Sequence, residues 1–428
     1  MDLIDRSLVL VVRRKSTDGI KACRVHDMLH DLCLKKAEEE NFLQQICWYE
    51  EVSSSGFTAD KQLFLPIAAK QRRLCVRSRI FGGISSEFSA QHIRSFLYFG
   101  SEKNPIPPKD MSFIEKGFNL LRVMDLLSIS ISHFPYSIAQ LALLTYLAIK
   151  GKKFHLPDNI SEFQYLETLI VSGELYYLPT SVWEMVKLRH LCIGGENVIP
   201  YSSRVYSLDG LQTISQVCAS KGCQNVLTRT PNLRKLVLCG SFESKDHGLW
   251  FPDLEFLNHL KVLKLFNRFI PDDHTYNLQG VKFPPNLKEL TLSKTHLAWE
   301  EMSIIGSLPN LESLKLEFHA CVGPLWETSD GGFCRLKFLR FYYMNIEQWN
   351  ASSNHFPVLE HLVLHRCRKL EKIPSDLGNI DTLQMIEVSC CSDSVIYSAK
   401  QIQEYQLDIA NEILKIHIVS PPGWELTL

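Results

Sequence analysis

Leu311-Glu312-Ser313-Leu314-Lys315-Leu316 returns 25 residues later as Leu336-Lys337-Phe338-Leu339-Arg340-Phe341, and 23 residues after that as Leu359-Glu360-His361-Leu362-Val363-Leu364. The shared pattern is L-x-x-L-x-L with conservative swaps. Its fourth and sixth residues alternate with the fifth, which is the spacing of a β-strand with two unlike faces. The same hexad starts at Leu121, Leu144, Leu166, Leu188, Leu233, Leu260, Leu287 and Leu383, with a degenerate copy at Leu211. From Leu121 to Leu383 the starts are separated by 22 to 27 residues. Gln71 and Ile93 open two weaker units upstream.

A hexad of this kind recurring every ~20–29 residues is the signature of the leucine-rich repeat. One such strand cannot bury its apolar face alone. Stacked copies form a parallel sheet on the concave side of a horseshoe, over a continuous core. The pattern predicts Leu147 and Ile149 inward and Ala148 outward. Helical repeats are excluded by the prolines between hexads, as in Phe154-His155-Leu156-Pro157 and Tyr177-Leu178-Pro179. Those segments return the chain along the outer side. Longer loops are expected at Ser241 to Phe251 and Asn267 to Phe283, and a local bend at Leu211. The segment Ser398 to Leu414, with Ile416 to Val419, is expected to close the last coil, since solenoid ends need a cap.

Composition narrows the function. The chain has 428 residues, with 46 Lys and Arg against 47 Asp and Glu, for a net charge of −1. This balance gives no electrostatic reason to expect nucleic acid as a partner. No run approaches the ~18 apolar residues of a membrane span, and Met1-Asp2 opens no basic signal region. A cytoplasmic protein is expected. The 13 cysteines include no C-x-x-C pair, so free thiols are expected rather than zinc or a disulfide framework. His26 and His30 are four apart, but there is no H-E-x-x-H and no third ligand, so no metal site is expected. No G-x-S-x-G elbow is present and no catalytic centre is legible, so the chain is expected not to be an enzyme.

Residues 1–46 do not follow the hexad. Leu3, Ile4 and Leu8 read as a helix end, Val9 to Val12 as a strand, and Thr17-Asp18-Gly19 as a turn. Lys21 to Val25 reads as the returning strand. Met28 to Glu40 reads as a helix with Met28, Leu29, Leu32 and Ala37 on one side. Asp27 is its N-cap or first-turn acid. Helix, hairpin and helix form the closing part of a winged-helix module.

The run Cys23-Arg24-Val25-His26-Asp27-Met28-Leu29-His30-Asp31-Leu32 resembles the segment around the M-H-D motif of plant nucleotide-binding leucine-rich-repeat immune receptors, with Val25 at the Met position. Asp2 to Val9 is similar to that family's winged-helix sequence. Cys33 to Phe42 resembles the coiled-coil class, especially the late-blight resistance proteins of the nightshade family. The resemblance covers most of the chain, as the C-terminal part of such a receptor. It implies an α/β fold, a leucine-rich-repeat solenoid preceded by the C-terminal part of a winged-helix domain. The expected division is 1–46 winged-helix segment, 47–70 linker, 71–397 repeats and 398–428 cap.

The resemblance also implies function. His26 would contact the β-phosphate of bound ADP and Asp27 would support it. The repeats would recognise a pathogen effector or a guarded host protein and restrain the receptor's own nucleotide-binding domain. An ADP/ATP switch would then trigger defence and hypersensitive cell death, with the active receptor peripheral at membranes. No G-x-x-x-x-G-K-[ST] loop occurs in this sequence. ADP or ATP is therefore expected only where an upstream nucleotide-binding domain is present. Two readings stay open: part of a longer receptor, or a truncated leucine-rich-repeat adaptor or inhibitor without nucleotide switching.

Outward positions flanking the inward leucines supply the partner-binding candidates. They are Tyr146, His190, Lys235, Lys264, Phe266, Lys315, Phe338, Arg340, Tyr342 and His361. Aromatic and Arg side chains are the usual anchors of protein interfaces. The stretch Phe338 to Trp349 is the densest such cluster.

Overall fold

The computed structural model describes residues 2–14, 20–48, 72–78, 91–100, 118–134, 138, 140–175, 177–198, 206–219, 223–242, 252–268, 275–409 and 413–419. The chain divides into two compact units, Met1–Val12 with Cys23–Leu233, and Arg13–Ala22 with Arg234–Leu428.

The N-terminal segment has the expected element order. Helix α1 (Asp2–Asp5) leads to strands β1 (Val9–Arg14) and β2 (Ile20–Val25), which form a two-stranded sheet, and then to helix α2 (Asp27–Glu39). The Thr17-Asp18-Gly19 turn lies outside the described residues. None of the residues of α2 is buried, and Met28 and Leu32 are 79% and 54% exposed. Its apolar stripe has no covering element among the described residues.

The first unit's ladder starts earlier than the hexads suggest. Strand β3 (Gln44–Trp48), placed by sequence in the winged-helix segment and linker, pairs in parallel with β4 (Arg73–Ser78). Most of the expected linker lies outside the described residues. The ladder continues through β5 (Ser95–Phe99), β6 (Val123–Asp125), β7 (Tyr146–Phe154), β8 (Thr168–Leu175), β9 (His190–Val198) and β10 (Thr213–Cys218). Leu147, Leu169, Leu191 and Ile214 fall in one cross-strand row and are fully buried. Ala148 departs from its expected outward exposure and is 0% exposed. Its register neighbours are Asp125 and Ile170, and a single methyl between longer side chains keeps no surface. The degenerate Leu211 unit still forms β10, with a register shift between Ser215 and Val217 and Gln216 at φ 58°. A five-residue helix, α3 (Cys223–Leu227), follows.

The second unit repeats the plan. Its ladder runs β11 (Lys235–Gly240), β12 (Val262–Asn267), β13 (Glu289–Ser293), β15 (Ser313–Glu317), β18 (Phe338–Tyr342), β20 (His361–His365), β21 (Met385–Ser389) and β22 (Lys415–Val419), all parallel. One inward row is Leu236, Leu263, Leu290, Leu314, Leu339, Leu362 and Ile386, each 0% exposed. Burying one such leucine is worth roughly 1.5–3 kcal/mol, so the row is the main stabilising feature of the unit. Between ladder strands, β14 (Leu297–Ala298) pairs with β16 (Cys321–Val322), and β17 (Leu325–Glu327) with β19 (Gln348–Asn350). A short helix, α4 (Met302–Gly306), sits between β14 and β15. Segments 243–251 and 269–274 of the expected long loops lie outside the described residues.

Asparagines preceding the hexads tie the coils together. Asn286 and Asn310 Nδ2 donate to the carbonyls of Asn258 and Pro285, at 2.9 and 3.2 Å. Trp326 stacks between Trp299 (centroids 4.9 Å) and Trp349 (5.5 Å), against Phe341 and Phe356. Phe341 and Trp349, part of the expected surface cluster, are thus core residues. Helix α5 (Asp393–Asp408) starts ahead of the expected cap and buries Val395, Ala399 and Ile402. Gln406 on its inner side donates to the Gly378 carbonyl. Strand β22 adds a further rung to the ladder.

Candidate functional site

Each strand of the second unit offers its third, fifth and seventh repeat positions to the outward side. The cross-strand register turns these into three rows. The first runs Lys235, Val262, Glu289, Ser313, Phe338, His361 and Met385. The second runs Val237, Lys264, Thr291, Lys315, Arg340, Val363 and Glu387. The third runs Cys239, Phe266, Ser293, Glu317, Tyr342, His365 and Ser389. Eight of the sequence candidates therefore share this face, and all eight are half-buried. Tyr146 and His190 lie on the first unit's outward face, two strands apart in one row with Thr168 between them.

The centre of the second unit's face is a cation–aromatic network. The Arg340 guanidinium lies 4.9 Å from the Tyr342 ring centroid, and its Nη1 is 3.5 Å from Glu317 Oε1. Lys315 Nζ is 5.4 Å from the Phe338 ring. Tyr342 stacks on His365 at 4.8 Å with 2° between planes, while Phe318 meets Tyr342 edge-on at 4.9 Å. Each contact is individually modest, about 0.5–1 kcal/mol for an exposed cation–π pair. Together they hold the side chains in fixed positions, so less entropy is lost when a partner docks.

Burial and charge tune the histidines. His365 titrates below its ordinary range because burial disfavours the imidazolium, with Arg366 and Arg340 adding repulsion. Burial alone depresses His319. In the first unit burial, then Arg189, lowers His190, and burial, then Asp125, raises Tyr146.

The sequence candidates missed the corner after each strand. The eighth residue of the repeat adopts positive φ at Lys294 (55°), Phe318 (49°), Tyr343 (58°), Arg366 (56°) and Cys390 (54°). Its N–H extends the ladder. Phe318 donates to the Tyr342 carbonyl and Tyr343 to the His365 carbonyl, both at 2.8 Å. Phe318 and Tyr343 stand 37% and 43% exposed beside the third row. Their shared eighth place, with Phe and Tyr where the φ favours Gly, was the signal available in the sequence.

At the other candidate site, His26 rather than Asp27 caps α2. Its Nδ1 accepts the Met28 N–H at 3.3 Å, and its own N–H donates to the Leu8 carbonyl at 3.0 Å. Asp27 is the acid of the first turn. An imidazole accepting at Nδ1 carries its proton on Nε2. That Nε2–H suits a phosphate oxygen, so the side chain fits the ADP contact that the resemblance implies.

A hydroxyl, an imidazole and a carboxylate also meet in the second unit. His355 Nδ1 bonds Thr328 Oγ1, and His355 Nε2 lies 3.1 Å from Asp330 Oδ1. Here Nδ1 also accepts the Ser352 N–H at 3.2 Å, and Thr328 Oγ1 lies 2.9 Å from the Asn350 carbonyl. The Thr328 hydroxyl has one proton for two acceptors, His355 Nδ1 and the Asn350 carbonyl, and these bonds close a turn.

A family model described as a leucine-rich repeat region matches residues 92–298. The late blight resistance protein homolog R1B-16 of Solanum demissum is 34% identical over 441 residues, covering 98% of this chain and 32% of the relative. Homolog R1B-12 of the same species is 33% identical over 449 residues, covering 98% and 31%. The chain spans about a third of the length of these curated relatives. Among solved structures, the plant peptide hormone receptor RGFR1 in complex with RGF2 aligns at TM-score 0.37 and 15% identity, over 82% of this chain and 76% of that one. The strand ladder, the repeat and the alignment over 98% of this chain agree: it is a leucine-rich-repeat chain similar to about a third of the length of the Solanum demissum late blight resistance protein homologs.

Proposed function

We propose that this chain is the sensing and restraining region of a plant nucleotide-binding immune receptor. The observation that carries the reading is the preorganised Lys315, Phe338, Arg340 and Tyr342 network on the second unit's outward face. That face captures a pathogen effector or a host protein an effector has modified. Tyr146 and His190 are a separate candidate patch on the first unit.

The N-terminal helix, hairpin and helix are the closing part of a winged helix, and His26 is the off-state contact. Where a nucleotide-binding domain precedes this chain, the Nε2–H of His26 donates to a phosphate oxygen of ADP, and Asp27 steadies the helix start. Bound ADP supplies the charge that holds the receptor off. A partner that binds the released state better shifts the population toward it. Defence and hypersensitive cell death follow from that release. The chain acts in the cytoplasm by binding rather than by catalytic turnover.

The test uses a full receptor carrying this chain, expressed in leaf tissue challenged with the pathogen it resists. Lys264→Glu, Lys315→Glu and Arg340→Glu together are expected to abolish the cell-death response at unchanged protein level. A retained response removes this face as the sensor.

A further inference from the structure

The last two hexad coils carry a cysteine at the same place. Cys367 is the ninth residue from Leu359, and Cys391 the ninth from Leu383. Strands β20 and β21 pair with His365 opposite Ser389. The Arg366 N–H then donates to the Ser389 carbonyl at 2.9 Å, which carries the register one residue further. Arg366 and Cys390 both turn through the left-handed region. The next residue of each coil therefore leaves the sheet in the same direction, and the two thiols come together.

The sulfur contacts bear this out. Cys391 Sγ donates to the Leu364 carbonyl of the neighbouring coil and to the Ser389 carbonyl, both at 3.5 Å. Cys367 Sγ lies 3.7 Å from the His365 carbonyl. Each thiol is the first influence on the titration of the other. Cys367 is buried and Cys391 partly exposed. Neighbouring strands about 4.8 Å apart fall inside the ~4.4–6.8 Å that a disulfide spans between Cα atoms.

We propose that Cys391 and Cys367 are an oxidant-responsive dithiol, in which Cys391 attacks a hydroperoxide and Cys367 closes the disulfide. The Cys391 thiolate attacks one peroxide oxygen. An S–O bond forms, the O–O bond breaks, and hydroxide leaves. The Cys367 sulfur then attacks the sulfenic sulfur. The S–S bond forms, the S–O bond breaks, and the Cys367 proton departs with the hydroxyl as water. Two thiols lose two electrons, and with one further proton the peroxide becomes two waters. The neighbouring Cys367 thiol holds Cys391 down to about 7, while Cys391 and burial push Cys367 well up. Near neutral pH the partly exposed sulfur is therefore the nucleophile, and the buried one keeps its proton until it resolves the sulfenic acid. The product staples two coils behind His365, which stacks on Tyr342 of the outward face.

The experiment treats the reduced, desalted chain with near-stoichiometric hydrogen peroxide at neutral pH. The intact mass is expected to fall by about 2 Da, with Cys367 and Cys391 joined in a non-reducing peptide map. Cys367→Ser is expected to leave a Cys391 sulfenic acid that dimedone traps. The wild-type map decides the matter without any variant. If Cys367 and Cys391 stay reduced while exposed Cys23, Cys33 or Cys334 oxidise, the proposal is overturned.

Discussion

Gly173→Ala should break the first unit where its strands approach most closely. Gly173 has φ +99°, and a Cβ built there lies 1.9 Å from the Gly151 carbonyl oxygen. That oxygen belongs to a paired strand and cannot swing aside. Relieving the overlap parts β7 from β8 by about 1 Å and sacrifices two or three ladder bonds, each worth about 1 kcal/mol. Backbone strain adds about 1–3 kcal/mol, offset by about 0.4–1 kcal/mol from the stiffer unfolded chain. The sum is roughly 4 kcal/mol. Gly280 is the matched control. It has φ +79° and nothing within 4 Å of its Cβ, so Gly280→Ala should cost no more than about 1 kcal/mol. Urea unfolding followed by far-ultraviolet circular dichroism measures both. Equal midpoints for the two variants would refute the reasoning.

Other outcomes follow from the same physics. In a receptor that includes the nucleotide-binding domain, His26→Ala or Asp27→Val should raise basal cell death in leaf tissue, and unchanged basal activity would remove the sensor assignment. Acidification should destabilise the second unit. His319 and His365 titrate below their ordinary range when folded, so the unfolded chain binds more protons, and stability present above about pH 6.5 is lost as pH falls through the depressed values. The urea midpoint should therefore drop between about pH 7.5 and about pH 5.5, and His365→Gln should flatten that drop.

The ladder was legible because burial imposes a strict period. Leu314, Leu339 and Leu362 lie in one cross-strand row and in one hexad position. The outward candidates followed from the same alternation, which put Lys315 opposite Arg340 and Glu317 opposite Tyr342. Features set by neighbouring coils were not legible. In β3 the partner of Leu74 is Gln44, so a glutamine holds the inward leucine place of the hexad, yet the strand pairs with the next coil. Trp349 fell in the expected surface cluster, and only β17, β19 and its stacking on Trp326 make it core. The sequence put Met28, Leu29, Leu32 and Ala37 of α2 on one side, and no residue of that helix is buried among the described residues. Phe318 escaped notice, and Tyr343 was caught only within the Phe338 to Trp349 stretch, because a bulky residue at positive φ is disfavoured locally, and here the coil-to-coil hydrogen bonds impose it.

The central claim is that the second unit's outward face is the sensing surface. Amide hydrogen exchange on the receptor, with and without the effector that triggers it, tests this most directly. Slowed exchange centred on β15, β18 and β20, with the Phe318 and Tyr343 corners, is the expected result. Protection confined to other segments, with these strands unchanged, would contradict it.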